Sequence, residues 1–281
     1  MKQSFSAVRP SPIAGSWYPG NATVLRSEVS RYLDSARLPA LPGPVLGVIS
    51  PHAGYHYSGP TAGYAYRAVQ GQSYDLVVVA SPLHDYLPYP FLTSAHQSYA
   101  TPLGEIEVET DLLQQLNEKL QKRSGEHLTA IANDHEHSLE IQLPFLQTAL
   151  SQPFRLLPLM VREQNPAALQ EMGEVLAEIV AGQHLLLVAS TDLSHFYPEE
   201  EANLLDATMM AQFAAFSPQG VLQAEASQTG FACGSGAVAV ILWAAKALGG
   251  KQVTLLHHST SGKTSGDHER VVGYGAAAIT Q

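Results

Sequence analysis

An α/β fold, with a mostly parallel or mixed sheet covered by helices on both faces, is what this sequence predicts. Three observations carry that expectation. Short runs rich in Val, Leu and Ile recur along the chain, helical patterns lie between them, and the two kinds of segment alternate. Such uninterrupted apolar runs read as strands buried on both faces, because a half-solvated strand would alternate apolar and polar residues instead.

The strand candidates in chain order are Pro44–Ser50 (PVLGVIS), Tyr74–Ala80 (YDLVVVA), Phe154–Val161 (FRLLPLMV) and His184–Ser190 (HLLLVAS), followed by Gln252–His257 and Arg270–Ile279. Helical patterns cover Thr61–Gln70, Asp111–Lys122, Ser138–Leu150, Pro166–Ala181, Glu199–Phe216 and Gly234–Leu248. The helix after Asp134 carries a start signal: Asn133 or Asp134 can cap it, and Glu136 sits where a capping box wants an acid. Pro144 falls within that pattern and either kinks the helix or marks its true start. With no internal repeat, linker-like stretch or charge block, the expectation is one α/β domain over residues 1–281.

Composition narrows the function classes. The chain has 281 residues, of which 45% are hydrophobic and 14% charged, so it can bury a sizeable core and is not a disordered chain. A formal charge of −10, with no basic run longer than Lys122-Arg123, argues against nucleic acid or an anionic membrane as the main partner. Cys233 is the single cysteine, which excludes an internal disulfide and fits a reducing compartment. No secretory apolar segment opens the sequence, and the most apolar stretch, Gly236 to Ala245, is about half the length needed to cross a bilayer. A soluble, cytoplasmic protein is therefore expected.

The chemistry gathers where strands end. PVLGVIS runs into Pro51-His52-Ala53-Gly54, YDLVVVA into Ser81-Pro82-Leu83-His84-Asp85, and HLLLVAS into Thr191-Asp192-Leu193-Ser194-His195. In open α/β sheets, ligands bind outside the carboxyl ends of the strands. If these three strands are parallel neighbours, His52, His84, Asp192 and His195 converge on one crevice. A helical turn over 192–195 would bring Asp192 beside His195, the pairing that fixes an imidazole's tautomer for general-base work. Cys233 precedes an apolar helical run, a place where the helix dipole favours the thiolate, the form that binds metal or attacks as a nucleophile.

Asp134-His135-Glu136-His137-Ser138-Leu139-Glu140 is dense in titratable groups. Glu136 and Glu140 are spaced to share a helix face, and the segment reads as a capped helix start that backs the site rather than as ligands. Ser190 and Ser194 lack the G-x-S-x-G elbow of a serine nucleophile, and no phosphate-binding glycine fingerprint follows any strand.

Taken together these motifs resemble the Memo family, in its bacterial branch described as AmmeMemoRadiSam system protein B. The matching pieces run in order through almost the whole chain: Ala14-Gly15-Ser16-Trp17-Tyr18-Pro19, Pro51-His52-Ala53-Gly54-Tyr55 with Tyr57-Ser58-Gly59, Pro82-Leu83-His84, the segment 134–140, Ser190-Thr191-Asp192-Leu193-Ser194-His195, Cys233-Gly234, and Gly266-Asp267 leading to Val271-Val272-Gly273-Tyr274. The resemblance implies a three-layer fold similar to the class III extradiol dioxygenases, which are non-haem iron enzymes. It places His52 and His84 as metal ligands, Cys233 as the third, and His195 as a catalytic acid/base with Asp192 beside it. A thiolate in place of the ring-cleaving enzymes' carboxylate shifts the preference from iron toward copper(I) or zinc. Glu136, Glu140, Asp192 or Asp267 could supply a carboxylate instead.

The function expected on this basis is a metal-dependent, redox-active enzyme acting on a small molecule. Its ion would be iron or copper, with zinc as the alternative. Neutral His195 would accept the proton, and Tyr55, Tyr57 and Trp17 would wall the pocket. Two other classes stay open: a zinc hydrolase, and a non-catalytic binding protein. For the latter the family context suggests AMMECR1-like and radical SAM proteins as partners.

Overall fold

The structure is a computed structural model and describes residues 7–281. In chain order its first half contains β1 (Val8–Arg9), α1 (Ala22–Ser35), β2 (Val45–Ser50), α2 (Tyr55–Arg67), β3 (Leu76–Pro82), β4 (Phe91–Ser94), β5 (Ser98–Thr101), β6 (Gly104–Glu107), α3 (Thr110–Ser124) and β7 (Leu128–Ile131). The second half contains α4 (Leu143–Ala149), β8 (Arg155–Val161), α5 (Pro166–Val180), β9 (Leu185–Ser190), β10 (His195–Tyr197), α6 (Glu199–Ala214), α7 (Pro218–Ala226), α8 (Ser235–Ala247), β11 (Gln252–Thr260), α9 (Gly262–Ser265) and β12 (Val271–Thr280).

Nine strands form the main sheet in the order β10-β12-β2-β9-β3-β8-β4-β7, with β11 also on β12. Its centre, β2-β9-β3-β8, is wholly parallel, while β12 on β2 and β4 on β8 run antiparallel. The sheet is therefore mixed, as expected, and helices cover both faces. Helices α1, α2 and α4 pack together on one side; α5, α7 and α8, with α3 and α6 at their flanks, cover the other. The four central strands are buried along nearly their whole length. This is the reason their sequences carry no polar alternation.

Local chemistry explains the helix limits. Asn21 caps α1, its side-chain oxygen accepting the N–H groups of Thr23 and Val24 at 3.0 and 3.1 Å. Asn165 caps α5 in the same way, with Pro166 at the first turn, where a missing N–H costs nothing. Helix α8 is buried from Ala237 to Ala245 because it lies between the sheet and neighbouring helices, so its apolar run needs no membrane. Among the described residues no helix is long and apolar enough to cross one.

Two expectations are corrected. Pro144 sits in the first turn of α4, so the helix starts there; residues 140–142 form a single 3-10 turn and 134–137 have no regular structure. Consequently Glu136 and Glu140 share no helix face. The capping box is also absent: Asn133 has a left-handed φ of 59°, Asp134 pairs with Arg9, and Glu136 binds His84. Helices α1 and α7 and the short strands β4 to β7 were not anticipated from apolar periodicity, being either polar on most of their surface or only four residues long.

Helices α1 and α2 touch so closely that α2 needs glycine. A Cβ on Gly63 would lie 2.7 Å from the Tyr32 carbonyl oxygen, a backbone atom that cannot swing aside. Gly63→Ala should therefore lower stability by about 1–3 kcal/mol through overpacking, even though alanine is the better helix former. Thermal melts of the two proteins check this, and an unchanged or raised midpoint would contradict the packing.

Candidate metal centre

Parallel register delivers the site residues together. Ser50 of β2 pairs with Ser190 of β9, and Ala80 of β3 with Ala189 of β9. His52, Asp192 and His84 each follow the end of one of these three adjacent strands by two residues. They emerge side by side at one sheet edge, as the crevice argument requires.

Ring centroids of His52 and His84 are 5.3 Å apart, and His137 lies 5.5 Å from His52 and 4.6 Å from His84. One ring nitrogen from each falls within 4.8 Å of the others, so this group could hold a metal ion. The sequence reading placed His137 behind the site; the structure puts it in the cluster. The non-helical path of 134–137 does this, turning Glu136 inward and leaving His135 exposed.

Hydrogen-bond accounting fixes how the imidazoles present themselves. The Ser190 hydroxyl donates to the carbonyl of Ser138 at 2.6 Å and accepts from the Gln142 amide at 2.8 Å. Its only proton being spent, its contact with His52 Nδ1 at 3.0 Å must be one in which His52 donates. His52 therefore carries its proton on Nδ1 and turns the Nε2 lone pair outward. His84 Nδ1 faces both oxygens of Glu136, at 3.0 and 3.1 Å, so it too donates and leaves Nε2 free. A carboxylate or hydroxyl behind each ring is the support a ligating histidine needs.

Glu136 is buried, yet it also accepts the backbone N–H groups of His84 at 2.5 Å and of His137 and Ser138 at 2.8 Å each. Burial alone would raise its pKa, but these donors outweigh it and hold the carboxyl well below the usual range. Behind it, buried Arg9 pairs with Glu140 at 2.6 Å and Asp134 at 2.7 Å, and donates to the Glu136 carbonyl at 2.7 Å. Glu140 is completed by the hydroxyls of Tyr18, at 2.7 Å, and Ser11. The chain before α1 is thus bolted onto the 134–140 segment.

Burial lowers the pKa of His52 well below its ordinary value and that of His137 to about 4, with neighbouring imidazoles reinforcing the effect in both. Both rings are neutral at pH 7, the form that ligates. His84 moves the other way, because its hydrogen bond and attraction to Glu136 outweigh the effect of burial.

Cys233 lies against this cluster from the start of α8. Its Sγ is 3.1 Å from His52 Nε2 and accepts the Asp192 N–H at 3.3 Å. With the lone pair on Nε2, the thiol donates to it. The expected thiolate is not favoured: surrounding protein, then the nearby Asp192 carboxylate, push the thiol well above its ordinary value despite the helix start. Cys233 contacts the His52 end only and is not in the three-nitrogen group. Its outer surface opens into a separate cavity of about 700 Å³.

Asp192 is buried and accepts the backbone N–H of His52 at 2.7 Å, and burial raises its pKa to about 7. It does not orient His195 as expected. Residues 191–194 form no helical turn, since His195 pairs with Val272 and the backbone runs extended into β10. His195 nevertheless sits near the cluster, and desolvation lowers its pKa, keeping it neutral. Beneath it, fully buried Asp206 accepts the Ser194 N–H at 3.0 Å and pairs with His258 at 2.7 Å, a support that sequence spacing gave no sign of.

None of the carboxylates considered from sequence joins the group. Glu136, Glu140 and Asp192 are committed as above, and Asp267 accepts the Glu269 N–H at 2.9 Å on the wall of a neighbouring cavity. That cavity, of about 470 Å³, is lined by Trp17, Tyr57, Phe196 and Tyr274 among others. Trp17 packs against His137, with ring centroids 4.1 Å apart and planes tilted by 36°, and Tyr57 is exposed there, so both wall the pocket. Tyr55 does not: it is buried against Phe145 with its hydroxyl on the Ile141 carbonyl.

The fold and site together describe an α/β/α protein with a histidine cluster at the carboxyl edge of a mixed sheet, and comparisons with known proteins give this class its family. A family model for Memo-like proteins matches residues 9–278. A MEMO1 family protein of Nitrosopumilus maritimus is 31% identical over 275 residues, covering 96% of this chain and 98% of that protein. Another, from Methanopyrus kandleri, is 32% identical over 278 residues, covering 95% and 97%. The chain belongs to the Memo family. Among solved structures, an uncharacterized protein from Escherichia coli K12 matches with a TM-score of 0.45 and 14% identity, covering 82% of this chain and 98% of that one.

The His137 shift has a measurable consequence. Between its ordinary value of 6.5 and about 4, the unfolded chain takes up a proton that the fold refuses. This contribution to stability is fully present above that window and is lost as pH falls through it. Melts of metal-free protein should show the midpoint of the wild type falling more steeply over this window than that of His137→Asn. Parallel pH profiles would contradict the assignment.

Proposed function

We propose that this protein is a metal-dependent enzyme of dioxygenase-like, redox type, acting on a small molecule at the mouth formed by His52, His84 and His137. One observation carries the reading: two imidazoles, following strands β2 and β3 on either side of β9, have their Nδ1 protons engaged by Ser190 and Glu136, so that both Nε2 lone pairs are presented at one edge. The donor set suits a borderline metal. Three imidazoles accept iron, copper or zinc, and the Cys233 sulfur beside His52 adds a soft donor that favours copper(I) or zinc. Iron or copper held there would supply electron transfer, and zinc would supply Lewis acidity.

The chain's own residues supply the rest. His52 and His84 hold the ion, with His137 and Cys233 as the donors flanking them. His195, neutral and near the cluster, is the proton acceptor. Trp17 and Tyr57 keep water from one side and position an apolar substrate.

Metal analysis of tag-free protein tests this. We expect about one ion per chain, lost in His52→Ala and in His84→Ala, since removing a ligand costs at least tenfold to a hundredfold in affinity. Wild type that takes up no iron, copper or zinc would contradict the site. Oxygen uptake under ascorbate by iron- or copper-loaded protein, compared with the same ion in buffer, tests the redox part. No excess uptake would contradict that part and leave the metal site standing, as a zinc hydrolase or a binding protein would require.

A further inference from the structure

Beside the histidine cluster, the cavity of about 470 Å³ has an uneven lining. Its walls are aromatic: Trp17, Tyr57 and Phe196 all expose a third or more of their surface, an unusual amount of exposed ring for one place. Two charged side chains line it, Arg270 and Asp267. Arg270 lies with its guanidinium 5.6 Å from the Phe196 ring centre, and among the described residues it forms no ion pair. Arg9, Arg123 and Arg155, by contrast, are paired with carboxylates, whereas Arg26, Arg37 and Arg162 resemble Arg270 in forming no ion pair among the described residues.

We propose that this cavity binds an organic monocarboxylate with a flat apolar body, and that Arg270 is the residue that reads its charge. The guanidinium fork matches a carboxylate in two parallel hydrogen bonds, and the exposed rings of Trp17, Tyr57 and Phe196 in the lining offer contact to a flat apolar group. A monoanion is favoured over a dianion such as a phosphate monoester because Asp267 lines the same cavity and repels added negative charge. With the carboxylate on Arg270, the rest of the ligand extends past Trp17, whose ring packs against that of His137, toward the cluster. The proposal deepens the enzymatic reading by naming a substrate class, and it rests on that reading only for what happens at the far end of the ligand.

Titration calorimetry on metal-stripped full-length protein tests it, so the outcome does not depend on metal chemistry. The probes are 2-naphthoate, its neutral counterpart 2-naphthamide, and 2-naphthyl phosphate. We expect naphthoate to bind at least about tenfold more tightly than the amide, the margin of a charge-assisted hydrogen bond. Arg270→Gln, a surface change, should erase that margin and leave amide binding unaltered, while Asp267→Asn should tighten naphthoate. Equal affinity for acid and amide in the wild type would overturn the proposal, as would a margin that survives Arg270→Gln. Phosphate binding more tightly than carboxylate would overturn the monoanion assignment. Failure of metal uptake in the earlier experiment, with this preference intact, would refute the enzyme and leave the carboxylate site.

Discussion

A carboxylate that must be buried, and therefore must be satisfied, organises this protein's site. Glu136 has almost no exposed surface, and an ionised group in that position is tolerated only when donors converge on it. They come from two loops distant in sequence: the backbone and ring of His84, and the N–H groups of His137 and Ser138. Satisfying the acid therefore brings together two of the three clustered imidazoles. It also orients the His84 ring. The third imidazole, His52, is fixed from the opposite side by Ser190, whose hydroxyl is saturated by Ser138 and Gln142. Ser138 touches both systems, since its backbone N–H serves Glu136 and its carbonyl accepts from Ser190. The two halves of the cluster are thus coupled through one residue.

Placing that acid there carries an electrostatic cost, and the N-terminal strand offsets it. Arg9 is as deeply buried as any arginine in the chain and spreads its guanidinium over Asp134, Glu140 and the Glu136 carbonyl. A planar fork with five donors suits this task better than an ammonium would. The result is a segment, 134–140, with little regular secondary structure that is nevertheless held by hydrogen bonds to the side chains of Asp134, Glu136, Ser138 and Glu140. A site built this way presents neutral imidazoles on a polar but rigid base, which is what ligand preorganisation asks for.

The sheet was largely legible because buried parallel strands have a distinctive composition, and six of the main strands were anticipated within a few residues. His52 and His84 were legible for the same reason: each follows such a strand directly. What the sequence could not reveal depended on long-range geometry. A helical reading of 134–140 puts His137 behind the site, but α4 starts only at Leu143, and that shift in boundary decides where its ring points. Nothing near Arg9, Ser190, Gln142 or Asp206 marks them as supports, because their partners lie between 12 and 138 positions away. The proposed Asp192–His195 pair failed where a local spacing rule met a stronger constraint, the pairing of β10 with β12. Family motifs identified the right peptides without showing which atoms face which.

The central claim is that hydrogen bonding alone, before any ion arrives, sets His52 with its proton on Nδ1 and its Nε2 lone pair toward Cys233 and the cluster. Long-range proton–nitrogen NMR of metal-free protein at neutral pH, labelled at histidine, reads the tautomer directly. The account predicts a neutral ring protonated on Nδ1, switching toward the other tautomer when Ser190 is replaced by alanine. A His52 ring protonated on Nε2 in the wild type would contradict it.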